Sequence, residues 1–491
     1  MTGTRGPTTA RRNGNGSAVS GPELWRWAAG AALVTVSVLV VVLLAGGGAP
    51  QPVPAGLPDA GALTGWGLPV VRLFADLAGL ATVGLLLAAG LLLSSPEATL
   101  GDAAARAAAL AGRVAAGWLL AVLVEIVLTV SDIFGVPPGQ AADATVLRSF
   151  LGQTSQGRAL LVQLALVIVV GGLARAAVSP RGAVLALVVA LGALAPPALT
   201  GHSASAGSDE LAVASLLVHL LAAALWVGGL AALAWVAVGE ASRSMAGQGG
   251  LRLAVPRFST LAGWCFAAIA ISGVVNAAVR LGGFGPLLSS AYGVLVLGKV
   301  TAIAVLGGFG WWHRRRSVTA LASAGGPGSA PGPVRAFLSV AAAELVVMAA
   351  TVALAVGLSR TPTPVRRETP PSPAAQLLGF PLPGPPTAAR LLFGWVPDGF
   401  ALTFLALAAG IYAAGVLALR RRGDRWPAGR SIAWAVGLLV FAWATVGGLG
   451  LYSHVLFSAH MVAHMLLSMV APIGLVLGAP ITLALRALPG P

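Results

Sequence analysis

Apolar residues recur along most of the chain in runs of about 20, separated by short segments rich in arginine, glycine and proline. A helix of about 20 residues crosses the hydrocarbon core of a bilayer. The runs show no strict polar and apolar alternation, which favours helices over the strands of a closed barrel. We therefore expect an all-α polytopic transmembrane bundle of about twelve spans. The predicted spans are 27–47, 69–94, 112–131, 159–178, 182–200, 210–238, 257–280, 291–312, 335–358, 398–419, 431–451 and 455–484.

The arginines between the runs predict how the spans are oriented. With the N-terminus in the cytoplasm, cytoplasmic loops and span ends hold most of the arginines, including the RRR runs at 314–316 and 420–422. This distribution matches the excess of basic residues in cytoplasmic loops. Twelve spans then return the C-terminus to the cytoplasm.

The amino-acid composition limits the functional classes to which the protein can belong. The hydrophobic share is 57% and the charged share only 9%, as in integral membrane proteins. The net charge of +15 comes from arginines in short loops, so nucleic acid is not a predicted partner. The single cysteine, Cys265, excludes an internal disulfide, a CxxC metal site and a CxxCH haem attachment, and we expect it to be buried in a helix. No phosphate loop, HExxH or supported nucleophile elbow occurs, so we predict that the chain is not an enzyme.

The strongest candidate site lies in YSHVLFSAHMVAHMLLSMVAP, at 452–472. His460 and His464 are four residues apart, so on a helix they share one face. His454 precedes them at the extracytoplasmic mouth of the span. Imidazole binds copper, zinc or iron, and intramembrane polar residues are costly and tend to be functional. The alternative is that these histidines hydrogen-bond to neighbouring helices.

Methionines accompany these histidines at helical spacing. Thioethers select the softer Cu(I), so Met461 and Met465, followed by Met469, point to copper as the metal. The alternative is that the methionines fill packing gaps.

A second group of histidines occurs earlier in the chain. His202 lies in a predicted outer loop, and His219 lies within the next span on the same side of the membrane. Both are candidate metal ligands. For His219 the alternative is a capping or interhelical hydrogen bond, and for His202 a plain loop position. His313, beside the RRR run at 314–316, is expected to support the cytoplasmic anchor.

Five further ionisable residues of interest fall inside predicted spans: Asp76, Glu125, Lys299, Glu344 and Arg280. Lys299 and Glu344 lie towards the middle of consecutive spans, so we expect them to pair, which would offset part of the cost of burial. The alternative is a proton or ion pathway lined by Asp76, Glu125, Lys299 and Glu344. Asn276 is expected to be a close-packing feature.

The region from about Ala195 to Pro364 resembles the copper resistance protein D (CopD) family. The resemblance rests on GHSASA at 201–206, LWVGGL at 225–230, PRFS at 256–259, YGVLVLGKVTAIAVLGGFG at 292–310 and AELVVMAATVALAVGLSRTPTP at 343–364. It implies membrane copper uptake, with metal candidacy for His202 and His219.

The tail from about Leu391 is similar to the beginning of the CtaG-type cytochrome c oxidase assembly family. The resemblance rests on GWVPDGFALTF, YAAGVLALRRR, RWPAGR and the long HMVAHMLLSMVAPIGLVLGAPITLALRAL run. It implies copper supply to the oxidase, with metal candidacy for His454, His460 and His464. Family members continue through several more helices, so this module is expected to be incomplete at Pro491.

These readings together predict five domains. They are a disordered basic cytoplasmic tail at 1–26, membrane helices of unassigned role at 27–194, a CopD-like module at 195–360, a proline-rich extracytoplasmic linker at 361–397 and a CtaG-like module at 398–491.

The function predicted from the sequence is copper transport and delivery in a bacterial plasma membrane. Copper is the expected metal, and the expected partners are membrane lipid, cytochrome c oxidase subunits and an extracytoplasmic copper-binding protein. Two alternatives remain open: a haem-binding electron-transfer protein, since two histidines on facing helices suffice to hold haem, and an oxidase-assembly scaffold without metal.

Overall fold

A computed structural model describes the chain over most of its length. The described residues are 21–51, 54, 57–94, 98–200, 209–241, 249–281, 283–313, 332–364, 373–378, 382–396 and 398–487. Their regular structure is helical throughout. Among these described residues, twelve helices are long and apolar enough to cross a membrane. The expected fold class and number of spans are therefore confirmed.

The helices follow one another in this order. Those before residue 242 are α1 (Gly21–Ala45), α2 (Gly61–Leu87), α3 (Asp102–Phe134), α4 (Pro138–Ala141), α5 (Ala144–Gln153), α6 (Ser155–Ala176), α7 (Pro180–Ala193), α8 (Ala195–Thr200), α9 (Asp209–Ala223) and α10 (Gly229–Ala241). Those after residue 248 are α11 (Gly249–Leu281), α12 (Gly285–Ser289), α13 (Ala291–His313), α14 (Gly332–Ser359), α15 (Pro373–Leu378), α16 (Ala388–Phe393), α17 (Gly399–Arg421), α18 (Ala428–Thr445), α19 (Gly448–Ser453), α20 (Phe457–Met465), α21 (Ala471–Leu477) and α22 (Pro480–Ala487). Turns of π-helix continue α2, α9 and α20, at Ala88–Leu92, Ala224–Gly228 and Leu466–Val470.

The second span begins earlier than the sequence predicts. We expected it to start at residue 69, but α2 starts at Gly61 and accommodates Pro69 within its helix. Arg72, expected at the outer end of the span, therefore lies eleven residues inside it.

The proline-rich segment predicted as a linker is more ordered than an extended chain. It contains α15 and α16, and the Thr387 side chain accepts a hydrogen bond from the Arg390 backbone N–H at the start of α16. Tyr452 donates a hydrogen bond to the Gly384 carbonyl over 2.7 Å. Capping by threonine thus starts a helix where the prolines alone predict none. The predicted domain boundaries remain a prediction.

The chain divides into two compact units. The first comprises 1–194, 221–267 and 287–362, and the second comprises 195–220, 268–286 and 363–491.

In the first unit, glycines allow α2 to approach the π turn at Ala224–Gly228 at the backbone level. A Cβ atom on Gly84 would overlap the carbonyl group of Gly228, and one on Gly228 would overlap the carbonyl oxygen of Leu80. Small residues permit this approach between membrane helices, where packing contributes much of the attraction.

An arginine caps the C-terminal end of the second span. Arg257 Nη1 donates hydrogen bonds to the carbonyl oxygens of Leu91, Leu92 and Ser94 over 3.1, 3.3 and 3.0 Å. The last carbonyls of a helix have no partner within the helix, and a cation there also interacts favourably with the helix dipole. The Arg257 hydrogen bonds therefore hold α11 against the C-terminal end of the second span.

We expect Arg257→Ala to lower the free energy of unfolding by about 2 kcal/mol, because three carbonyls lose a charged donor. Arg257→Lys should retain part of this stability, since an ammonium group still donates. Thermal unfolding of the purified protein measures both effects. Arg252→Ala is the control, because Arg252 is exposed on the same helix. Equal unfolding midpoints for Arg257→Ala and Arg252→Ala would rule out the capping role.

In the second unit, contacts of Tyr412 join α17 to α18 and to the C-terminal end of α21. Tyr412 donates a hydrogen bond to the Gly478 carbonyl over 2.9 Å and accepts one from Trp426 Nε1 over 3.0 Å. Its ring stacks on Trp434, with centroids 4.8 Å apart. The network fixes the helix that follows the histidine segment.

Candidate functional site

The histidine helix α20 packs on its small residues. Ala459 and Ala463 are 7% and 5% exposed and lie in a hydrophobic cluster with Ala444, Leu449 and Tyr452. These alanines are four residues apart, so they lie on one face of the helix. The opposite face of α20 therefore points away from its own unit.

Both histidines and both candidate methionines of α20 lie on exposed positions. His460 and His464 are exposed, and Met461 and Met465 are 41% and 54% exposed. Within the described residues, neither imidazole ring has a hydrogen-bond partner. We name these four side chains the His/Met face. The expected sharing of one face by His460 and His464 is present.

His454 lies just before this helix, with its ring orientation fixed. Its Nδ1 atom is 2.9 Å from the Gly450 carbonyl oxygen. A carbonyl oxygen only accepts, so Nδ1 carries the hydrogen and a neutral ring keeps its lone pair on Nε2. Histidine ligands of metals commonly donate their other N–H in this way.

His219 on α9 has the same tautomer for a different reason. Its Nδ1 atom is 3.1 Å from Ser272 Oγ on α11. The Ser272 hydroxyl lies 2.6 Å from the Ala268 carbonyl oxygen, and that bond uses its only hydrogen. Nδ1 of His219 therefore donates, and a neutral ring has its lone pair on Nε2. The interhelical hydrogen bond expected as the alternative is present.

A second hydrogen bond between the same helices was not expected from the sequence. Asn276 Nδ2 donates to Ser215 Oγ over 2.8 Å, so Asn276 is a hydrogen-bonding residue rather than only a close-packing one. The sequence spacing does indicate this contact: Ser215 and His219 are four residues apart on α9, and Ser272 and Asn276 are four residues apart on α11. Polar residues spaced four apart on each of two adjacent helices can form two hydrogen bonds between the helices, one turn apart.

The described residues contain no group of three or more histidine, cysteine or acidic side chains that could hold a metal ion. His454 is thus not brought together with His460 and His464 into a three-ligand group. A site on α20 would consist of two imidazoles and thioethers. His202 lies outside the described residues, and His313 is the last residue of α13, as expected for the end of a span.

One of the intramembrane ionisable residues, Glu125, forms an ion pair with an arginine on the preceding helix. Arg72 Nε donates a hydrogen bond to Glu125 Oε1 over 3.0 Å, which ties α2 to α3. Asp76 follows Arg72 by one turn. Cys265 is buried within α11, as expected.

The levels of Lys299 and Glu344 differ along their helices. A Cβ on Gly298 would lie 3.3 Å from Leu354 Cδ1, so the Lys299 backbone is level with the region of Leu354. Glu344 is ten residues earlier on α14, roughly 10–15 Å along the helix axis. The direct pairing of Lys299 with Glu344 remains a prediction.

Three family models match consecutive parts of the chain. Residues 57–211 match "Copper resistance protein D-like, N-terminal domain", residues 252–358 match "Copper resistance protein D", and residues 410–491 match "Cytochrome c oxidase caa3 assembly factor (Caa3_CtaG)". The chain thus combines regions that are similar to these three families, in this order. The resemblance drawn from the sequence is confirmed, and the copper resistance match reaches into spans for which the sequence suggested no role. These families are described by copper resistance and oxidase assembly, not by an enzymatic reaction.

Similar proteins occur in mycobacteria. An uncharacterized protein of Mycobacterium bovis is 50% identical over 113 residues, which are 23% of this chain and 17% of the relative. An uncharacterized protein of Mycobacterium leprae is 43% identical over 112 residues, with the same shares. The chain thus matches less than a fifth of the length of either relative. No solved structure matches the chain.

Proposed function

We propose that the protein takes up copper from the extracytoplasmic side of a bacterial plasma membrane and delivers it for cytochrome c oxidase assembly. The copper resistance protein D regions would conduct uptake, and the caa3 assembly factor region would hold copper for the oxidase. Copper is the cargo in this account, so the protein is not an enzyme. The expected partners are membrane lipid, oxidase subunits and an extracytoplasmic copper-binding protein.

The observation that carries this proposal is the His/Met face. Residues four apart on a helix have Cβ atoms roughly 5–6 Å apart, so the rings of His460 and His464 can reach one ion. Two imidazoles with a thioether form a donor set that suits Cu(I). Imidazoles exposed within an apolar span are costly without a partner, and bound copper supplies one.

His454 and His219 support the proposal through their tautomers. In each ring the Nδ1–H is used by a neighbouring oxygen, which directs the lone pair of Nε2 to other partners. We assign His454 to copper entry beside the His/Met face, and His219 together with His202 to copper binding in the uptake region. With the N-terminus in the cytoplasm, all these histidines lie in the extracytoplasmic half.

Metal analysis and a visible absorption spectrum of the purified full-length chain test the proposal. We expect copper in the protein purified from copper-supplemented cells, and no Soret band. A Soret band would replace copper delivery with haem-based electron transfer. If the purified protein contains neither copper nor haem while oxidase assembly still depends on the chain, the protein acts as a scaffold.

A further inference from the structure

The sequence from 410 to 491 holds six arginines and one carboxylate, and all of them lie at one end of the second unit. Gly423 has a left-handed backbone conformation, with φ of 82°, which ends α17 and lets the chain return into α18. The last turn of α22 reaches the same end of α17, because Arg422 Nη1 donates a hydrogen bond to the Arg486 carbonyl oxygen over 3.4 Å. The arginines are Arg420, Arg421, Arg422, Arg425, Arg430 and Arg486, and the carboxylate is that of Asp424.

A buried tryptophan holds two of these arginines in place. Trp426 is 8% exposed, and the Cζ atoms of Arg430 and Arg486 lie 5.1 and 5.9 Å from the centroid of its ring. These distances fit cation–π contacts. Trp426 is itself fixed, because its Nε1 donates a hydrogen bond to the Tyr412 hydroxyl over 3.0 Å. One ring thus positions guanidinium groups from two different helices, α18 and α22.

The carboxylate does not neutralise this pair of arginines. Asp424 Oδ2 lies 3.9 Å from Arg486 Nη2, and 50% and 43% of the two side chains are exposed. Such exposed ion pairs contribute little. Among the described residues, no carboxylate forms an ion pair with Arg430. A cation–π contact leaves the charge of a guanidinium in place, so Arg430 and Arg486 together attract an anion.

Exposed apolar side chains continue from these arginines along α22. Ile481 and Leu485 are 75% and 76% exposed, and their spacing of four residues places them on one face of the helix. Leu483 is 3% exposed and packs in a cluster with Tyr412, so the face of Ile481 and Leu485 points away from α17. A ligand that covers both this face and Arg486 is apolar along its length and anionic at one end.

We propose that this end of the second unit binds an anionic phospholipid. The 23 residues of α17 span roughly 34 Å, so the arginines at its end lie at the level of the lipid headgroups. The lipid phosphate accepts hydrogen bonds from Arg430 and Arg486, and an acyl chain lies along Ile481 and Leu485. Basic pockets between membrane helices suit phosphate headgroups, and tryptophan is enriched at this depth.

The apolar face favours a lipid over the other anions that arginines bind. Free phosphate or an acidic protein segment would engage the guanidinium groups and leave Ile481 and Leu485 uncovered. The site is also separate from the His/Met face, because α18 begins at the arginine end and the histidines follow its other end. Lipid binding here is therefore independent of copper delivery.

Native mass spectrometry of the delipidated full-length chain measures the binding of single lipid molecules. The probes are dioleoyl phosphatidylglycerol, which is anionic, and dioleoyl phosphatidylcholine, which is zwitterionic. We expect wild type to bind its first phosphatidylglycerol more tightly than its first phosphatidylcholine. Arg430→Gln/Arg486→Gln should weaken that first phosphatidylglycerol step at least about tenfold, since two basic groups at the headgroup are lost.

Arg113→Gln/Arg252→Gln is the matched control. It removes the same total charge from two exposed arginines in the first unit. The first phosphatidylglycerol step should therefore match that of wild type. Equal weakening in the two double variants would show that net charge alone attracts the lipid, and equal affinity of wild type for the two lipids would also overturn the proposal.

Ile481→Ser/Leu485→Ser tests the acyl-chain contact and distinguishes a lipid from free phosphate. Both side chains are exposed, so the substitutions leave the core intact. We expect weaker binding of dioleoyl phosphatidylglycerol, and no displacement of the lipid by excess inorganic phosphate. Displacement by phosphate would assign the site to a free anion instead. If Arg430→Gln/Arg486→Gln fails to fold, this variant carries the test, and an unchanged lipid affinity would contradict the proposal.

Discussion

Replacing Gly228 by alanine should destabilise the protein by about 3 kcal/mol, near the upper end of the cost of overpacking a well-packed interior. The added Cβ would overlap the Leu80 carbonyl oxygen and approach the Gly84 backbone nitrogen to 2.9 Å. Both obstacles are backbone atoms, so no side-chain rotation relieves the overlap. The π turn and α2 must separate, and the contacts that the close approach permits are lost.

Gly172→Ala is the control for this prediction. Gly172 lies within α6 with no atom within 4 Å of an added Cβ. Alanine there should be neutral or stabilising by up to about 1 kcal/mol, from helix propensity alone. Thermal unfolding and the monodisperse yield in detergent measure both variants. If Gly228→Ala matched Gly172→Ala in stability, the backbone-level approach of these helices would be disproved.

Arg72→Met should cost about 3–5 kcal/mol of stability, the range for breaking a buried ion pair from one side. The substitution leaves Glu125 without its hydrogen-bond donor and two carboxylates without a counter-charge. Adding Glu125→Gln in the same chain should recover a large part of the loss, because it removes the uncompensated charge. Thermal unfolding of the single and double variants gives the coupling between the two positions.

Arg113→Met provides the control for Arg72→Met. Arg113 is exposed on α3, so the same substitution should change stability by less than about 0.5 kcal/mol. Equal effects at both positions, or a double variant less stable than Arg72→Met, would show that the buried pair does not hold α2 to α3.

Hydropathy predicted the twelve spans because each requires a long apolar run, whatever it packs against. It did not predict that α2 begins at Gly61, since a proline near a span end usually marks a boundary. Arg72 was consequently expected at the outer end of the span, although it lies well within the second span and pairs with Glu125. The pairing itself depends on the register of two helices, which composition does not contain.

The sequence identified the candidate histidines but not their surroundings. Periodicity does not reveal which face of a membrane helix is buried, because lipid-facing and protein-facing positions are both apolar. The exposure of His460 and His464 follows from the packing of Ala459 and Ala463, which hydropathy treats like any other alanine. The tautomer of His219 likewise depends on Ser272, more than fifty residues away.

The most direct test of the central claim is a Cu(I) titration of the full-length chain in competition with a chromophoric chelator. Wild type is compared with His460→Ala/His464→Ala and with Val462→Ala, which alters an exposed apolar position on the same helix. Copper delivery through the His/Met face predicts a tight Cu(I) site there in wild type and Val462→Ala, weakened at least tenfold in the double variant, or by about 1.4 kcal/mol. Equal Cu(I) affinity in all three proteins would contradict it.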